Sequence, residues 1–266
     1  MYTAQLNPER GTNRDLPYGT LEAFQPFLDP FEPPQGSFDA STWKHSFSLY
    51  LFAQDKLGSR GCLDIERRPA RDGSVFNIDS KIVHLFGGID LKAEIVCRGD
   101  ELATLRSWRA DSVLFDDDGK AVSTTRVIST GRVSEAGIEW THAGRKRSAR
   151  VSGPVVAPWS LLGALQRLPA GAGGPFKFTL LDDLEMIKPA QRIIGIGPQT
   201  AKVARGAKLA LRCWEQTGNG ILPTHYWQDS QGRVLFWIAG QRAYLYDADA
   251  RQKIQSIEAG RKRRNK

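Results

Sequence analysis

The sequence predicts a mainly β protein in which an antiparallel sheet wraps round one short internal helix. Three observations carry this expectation. Between Gly206 and Asp247, three strands and two tight turns follow one another. In the first strand Leu209, Leu211 and Cys213 alternate with Ala210, Arg212 and Trp214, the period of two that sends successive side chains to opposite faces. In the third strand, Arg233 to Ala239, every position from Val234 onward is apolar, so both faces must be covered. Finally, one strongly apolar helical stretch, residues 158–168, interrupts the run of strand and turn signals. A helix of that composition must be buried against the sheet.

Taken in order, residues 1–43 read as an extended arm. Pro17, Pro26, Pro30, Pro33 and Pro34 oppose regular helix or central strand, while Tyr18, Phe24, Phe27, Phe31 and Phe38 are apolar enough to fix the segment on a domain surface. A single antiparallel β domain is expected over residues 44–250. Its first hairpin alternates Phe47, Leu49 and Leu51 with Ser46, Ser48 and Tyr50, turns at Gly58-Ser59-Arg60-Gly61 and returns through Leu63 and Ile65. Strands follow at Val75 to Leu85 and, past a turn at Gly87-Gly88, at Ile89 to Ile95. Leu102 to Phe115 ends in Asp116-Asp117-Asp118-Gly119, a hairpin tip, because no ligand at calcium-loop spacing follows the three aspartates. Val122 to Thr130, Gly137 to Thr141 and Ser148 to Val151 complete this part, with Arg145, Lys146, Arg147 and Arg150 beside a turn at Ala143-Gly144.

Pro158 suits a first helical position. Trp159, Leu162 and Leu165 share a stripe, and Pro169 with Gly171-Ala172-Gly173-Gly174 stops the helix. Strands resume at Phe176 to Leu181 and Ile187 to Ile196 and lead into the stretch from Gly206, with turns at Gly218-Asn219-Gly220 and Asp229-Ser230-Gln231-Gly232. A last helical turn at Lys253 to Ala259 falls within a basic tail, residues 251–266.

A chain of 266 residues can bury a sizeable core without disulfides or metals, and 41% hydrophobic with 25% charged residues is ordinary globular composition. It contains no run of about 18 apolar residues that would span a membrane as a helix. Residues 1–19 are polar and mixed in charge, which reads as no export signal. The net charge of +8 is local: removing Arg261, Lys262, Arg263, Arg264 and Lys266 leaves +3. This distribution favours a solvated terminus, or contact of Arg261, Lys262, Arg263 and Arg264 with an anionic surface, over a specific nucleic-acid interface. Cys62, Cys97 and Cys213, with His45, His84, His142 and His225, are scattered without zinc spacing, so the cysteines read as small buried hydrophobes. A Cys62 to Cys97 bridge would require an oxidising compartment.

Catalytic and cofactor motifs are not met. Ser160 stands in Trp-Ser-Leu-Leu-Gly, outside a nucleophile elbow. Gly171 to Gly174 lacks the Lys-Ser/Thr of a phosphate loop, and Gly195-Ile196-Gly197-Pro198 opens no helix. Asp182, Asp183 and Glu185 sit where a hairpin turn is expected, and His225 shares a strand with Tyr226 and Trp227 as a structural histidine. The aromatics are more informative. Trp214, Trp227 and Trp237 fall on three consecutive strands and Trp159 on the helix, so a gap between helix and sheet would form an apolar cavity.

Two segments carry a family resemblance: Trp159-Ser160-Leu161-Leu162-Gly163-Ala164-Leu165, and a Pro-x-x-Tyr-Trp-x-Asp-x-x-Gly-Arg turn from Pro223 to Arg233. With the order of strands around them, they resemble a group of uncharacterised bacterial cell-envelope domains similar to periplasmic lipoprotein carriers. The resemblance implies a half-barrel closed by a helix, an apolar cavity, a periplasmic or envelope location and no catalysis. The location is cytoplasmic if Met1 is the true start. The resulting expectation is non-catalytic binding of an apolar or lipidated ligand, lined by Trp159, Leu162, Leu165, Tyr226, Trp227 and Trp237 and needing no cofactor or metal. The alternative is a protein-interaction module acting through the arm and the basic tail.

Overall fold

A computed structural model of the chain describes residues 20–51, 59–84, 87–169 and 171–264, with side chains to residue 260. Its first element corrects the expectation of an extended arm: α1 (Leu21–Leu28) is a two-turn helix with Pro26 inside it. Thr20 caps its start, Oγ1 accepting the Ala23 N–H at 3.2 Å. Pro26 removes the bond to the Glu22 carbonyl, at about 3 kcal/mol. Burial of Phe24, Phe27 and Leu28, at roughly 1.5–3 kcal/mol each, outweighs that loss. Pro17 and Tyr18 lie outside the described residues.

Beyond α1 the segment 30–42 is strapped to the domain by two buried arginines. Arg233 donates to the Pro34 and Gly36 carbonyls at 3.2 and 3.1 Å, and Arg67 donates to those of Ala40 and Ser41. Beneath the strap His45 packs among Phe38, Trp43, Phe47 and Tyr246, 6% exposed. Burial, with Arg233 nearby, depresses its pKa from 6.5 to about 3. The folded state therefore refuses a proton that the unfolded chain accepts below 6.5. Stability from this group is complete above that pH and is lost as pH falls, by about 2 kcal/mol at pH 5. Urea titrations of wild type and His45→Phe between pH 7.5 and 5 should show this extra slope in the wild type alone.

The sheet is built from two meanders. The strands β1 (Trp43–Leu51), β2 (Gly61–Ala70), β3 (Gly73–His84), β4 (Gly87–Arg98), β5 (Leu105–Phe115), β6 (Val127–Ser134), β7 (Gly137–His142) and β8 (Arg145–Ala149) pair antiparallel in sequence order. The chain then passes through β9 (Val155–Val156) and the helix α2 (Pro158–Leu165). The second meander comprises β10 (Phe176–Asp182), β11 (Met186–Lys202), β12 (Lys208–Thr217), β13 (Thr224–Gln228), β14 (Val234–Ala239) and β15 (Arg242–Tyr246). Pairing of β1 with β15 fuses the two into one fifteen-stranded sheet whose ends are β8 and β9. Five residues, 150–154, join those ends, a reach of about 20 Å. The sheet must therefore curl until its edges approach, although they do not pair. The result is the curved, open, mainly β fold expected from the sequence.

Curvature defines an inside and an outside. A single apolar cluster takes residues from β1 to β7, from β9 to β14 and from α2, and only the concave side can bring these together. From Trp159 to Leu165 every residue of α2 is buried. On the convex side α1 covers Leu211, Cys213, Trp227 and Phe236. The requirement that both faces of Val234 to Ala239 be covered is thus met by α2 on one side and α1 on the other.

Several boundaries differ from expectation. The stretch from Gly206 holds four strands, because Arg242–Tyr246 pairs with both β14 and β1. Gly87 and Gly88 open β4 instead of forming a turn, and Gly195-Ile196-Gly197 is a β-bulge in β11, with Gly197 at φ +103°. The C-terminal helix α3 (Ala250–Arg264) is far longer than one turn. It docks on the outside of β1 and β2 through Ala250 and Ile254, and Arg251 meets Asp64 and Asp79 at 2.5 and 2.9 Å. Residues 251–260 are therefore part of the fold, not a solvated tail. The three cysteines are free and buried, as small hydrophobes, and a Cys62 to Cys97 bridge is absent for a geometric reason. Cys62 lies outside beneath α3, whereas Cys97 lies in the concave core.

Candidate apolar cavity between helix and sheet

The aromatic alternation along β13 and β14 decides which side chains reach the interior. In β13, Tyr226 points to the concave core and Trp227 to the convex one. In β14, Trp237 points inward, while Phe236 and Ile238 point outward. Pro158 at the first helical position and the Ser160 hydroxyl set the start of α2: Oγ accepts the Ala157 N–H at 3.2 Å and donates to the Ala157 carbonyl at 3.1 Å. This structural role occupies Ser160. The helix then presents Trp159 and Leu162 towards β13–β15.

Between them remains a cavity of about 540 Å³, within the range of small-molecule sites. Four of the six expected lining residues meet there: Trp159, Leu162, Tyr226 and Trp237. The other two do not. Leu165 is fully buried in packed core one turn further along α2. Trp227 is on the opposite face, stacked on Phe236 with centroids 4.9 Å apart, and its Nε1 donates to Gln199 at 2.8 Å. Because β13 alternates, Tyr226 and Trp227 cannot line the same cavity. A separate groove of about 460 Å³ on the outside, beside Thr20 and Leu21, includes Trp227 and His225. There His225 Nε2 meets Glu215 at 3.2 Å, so it is held as a structural histidine.

The structure adds lining residues that the sequence reading missed. Tyr244 stacks on Trp237 at 4.3 Å and 9°, and its strand carries the alternation Ala243, Leu245 against Tyr244, Tyr246 that would have revealed it. Leu63 and Leu180 add apolar wall, and Leu222, 64% exposed, forms an apolar lip. Part of the polar lining is satisfied internally. The Tyr226 hydroxyl donates to Gln216 Oε1 at 2.8 Å, Gln216 Nε2 donates to Gln191 Oε1 at 3.2 Å, and Lys188 meets Asp182 at 2.5 Å. Burial holds the Tyr226 phenol well above its ordinary pKa, so it stays neutral across the physiological range. Asp182, Asp183 and Glu185 belong to the β10–β11 hairpin, as expected of a turn. Burial pushes the Cys97 thiol beneath α2 up to about 12, which removes it as a nucleophile. Among the described residues no group of three His, Cys, Asp or Glu is arranged to hold a metal ion.

Fold and cavity together define the class: an open β-barrel-like domain with an internal helix. No family profile matches the sequence, and no curated protein matches it. Among solved structures, the chain is similar to the crystal structure of a beta-barrel-like protein of the domain of unknown function DUF1849 from Brucella abortus. The likeness has a TM-score of 0.51 at 10% identity and covers 78% of this chain and 96% of that one. At such identity it is a likeness of fold. It supports a β-barrel-like architecture of uncharacterised function, and similarity to lipoprotein carriers in particular does not follow from it.

Proposed function

We propose that the protein binds an apolar or lipidated ligand, without catalysis, in the cavity between α2 and the sheet. The observation that carries this reading is the partly open space of about 540 Å³ lined by Trp159 and Leu162 from the helix and Tyr226 and Trp237 from the sheet, with polar residues at its mouth. Each acyl methylene buried there contributes about 0.8 kcal/mol. The paired Asp182 and Lys188 and the exposed Arg242 at the cavity edge suit a ligand with a polar end. A role in the cell envelope belongs to the same reading and rests on the sequence resemblance alone; cell fractionation tests it. Arg261, Lys262, Arg263 and Arg264 at the end of α3 remain the candidate contact with an anionic surface, to be tested by sedimentation with anionic vesicles.

The opposed faces of β13 and β14 supply an internal control for the cavity. Binding of a fluorescent fatty-acid analogue should weaken at least about tenfold in Trp237→Leu, equivalent to about 1.4 kcal/mol. Trp227→Leu, on the outer face, should leave the affinity within about twofold while keeping a β-type spectrum. Equal losses in the two variants, or no saturable binding to the wild type, would sink the proposal.

A further inference from the structure

We infer that β8 is an open docking edge for an extended acidic segment of another protein, which adds to the sheet beyond Arg145–Ala149. Among the described residues the sheet does not close, and β8 ends it with β7 as its one neighbour. A terminal strand presents one row of backbone N–H and C=O groups outward, and incoming peptide strands use such rows. The opposite end, β9, is two residues long and offers no comparable row.

The side chains decide what kind of strand fits. Arg145, Lys146 and Arg147 are consecutive, so both faces of the edge are cationic, and Arg150 follows. All four are exposed. Arg147 meets Glu185 of the β10–β11 turn at 3.4 Å, whereas Arg145, Lys146 and Arg150 form no ion pair among the described residues. A second copy of this chain is a poor occupant. Antiparallel self-pairing centred on Lys146 sets Lys146 against Lys146 and Arg145 against Arg147, and like charges directly opposite are repulsive. Glutamate or aspartate at the facing positions reverses each of those interactions and steers the encounter. The edge thus rejects its own copy and selects an acidic strand.

The test uses the full chain and two synthetic eight-residue peptides in which valine alternates with glutamate or with lysine. The glutamate peptide should bind with a dissociation constant below about 1 mM at low salt. It should slow amide exchange across Arg145–Ala149 at least about fivefold and lose at least about tenfold in affinity to a Lys146→Glu, Arg147→Glu variant whose exchange elsewhere matches the wild type. The lysine peptide should not bind. No binding of the glutamate peptide, binding that leaves the β8 amides unprotected, or β8 protection that grows with protein concentration in the absence of peptide would each overturn the inference.

Discussion

Replacing Gly163 with alanine is expected to destabilise the protein by about 2 kcal/mol, and replacing it with valine by about 3 kcal/mol or more. In an exposed helix the alanine change would instead stabilise by about 1 kcal/mol. The sign reverses because Gly163 is where α2 touches the sheet. A Cβ there would stand 2.4 Å from Phe76 Cε1 and 2.5 Å from Cζ. Phe76 is fully buried, with the Trp43 ring at a centroid distance of 6.2 Å, so it has little room to yield. Urea denaturation measures the cost, and a double-mutant cycle with Phe76→Leu isolates its origin. In that background the alanine penalty should shrink by at least about 1 kcal/mol. Strict additivity would show that the helix-to-sheet spacing is set elsewhere.

Gln228→Leu is expected to have the larger effect, about 3–5 kcal/mol. Gln228 is fully buried, and its Oε1 accepts Trp214 Nε1–H at 2.6 Å. Its Nε2 donates to the Leu165 carbonyl at 2.9 Å and the Gly232 carbonyl at 2.8 Å. One side chain thereby ties β12, the end of α2 and the β13–β14 turn. Leucine fills much of the same volume but strands one donor, Trp214 Nε1–H, and one acceptor, the Gly232 carbonyl, at about 1–3 kcal/mol for each buried group left unpaired, while the Leu165 carbonyl keeps the Leu168 N–H at 3.2 Å. Thermal unfolding should show the loss, and Gln228→Glu should not repair it, since a carboxylate cannot donate to the two carbonyls. A variant as stable as the wild type would mean that water replaces the amide.

These two residues mark the boundary of what could be read from the sequence. The strands were legible wherever alternation was clean, as in Phe47 to Leu51 and Leu209 to Trp214, and α2 was legible from Pro158 and its stripe. From these the curled sheet around a buried helix followed. Lost were the features decided by tertiary contact. Pro26 argued against α1, yet buried phenylalanines override one missing hydrogen bond. Arg242–Tyr246 carries the alternation of Ala243 and Leu245 with Tyr244 and Tyr246 over only five residues, and nothing local in it shows that β15 pairs with β1 and so joins the two meanders. Of the cavity residues, Trp159, Leu162, Tyr226 and Trp237 were readable from composition and period. Trp227 differs because the presence of an aromatic on each strand says nothing about its face, and the period of two in β13 sets Trp227 opposite Tyr226. Leu165 lies on the right stripe of α2 but one turn too far along it. The Tyr226–Gln216–Gln191 relay joins residues from three strands and leaves no local signal.

Native mass spectrometry of the purified chain, followed by organic extraction, tests ligand capture most directly. The cavity account predicts a discrete added mass that extracts as a lipid or other apolar molecule and is diminished in Trp237→Leu but retained in Trp227→Leu. A bare chain mass from a lipid-rich expression host, unchanged after incubation with fatty acids, would contradict it and leave the space between α2 and the sheet as a packing defect of the core.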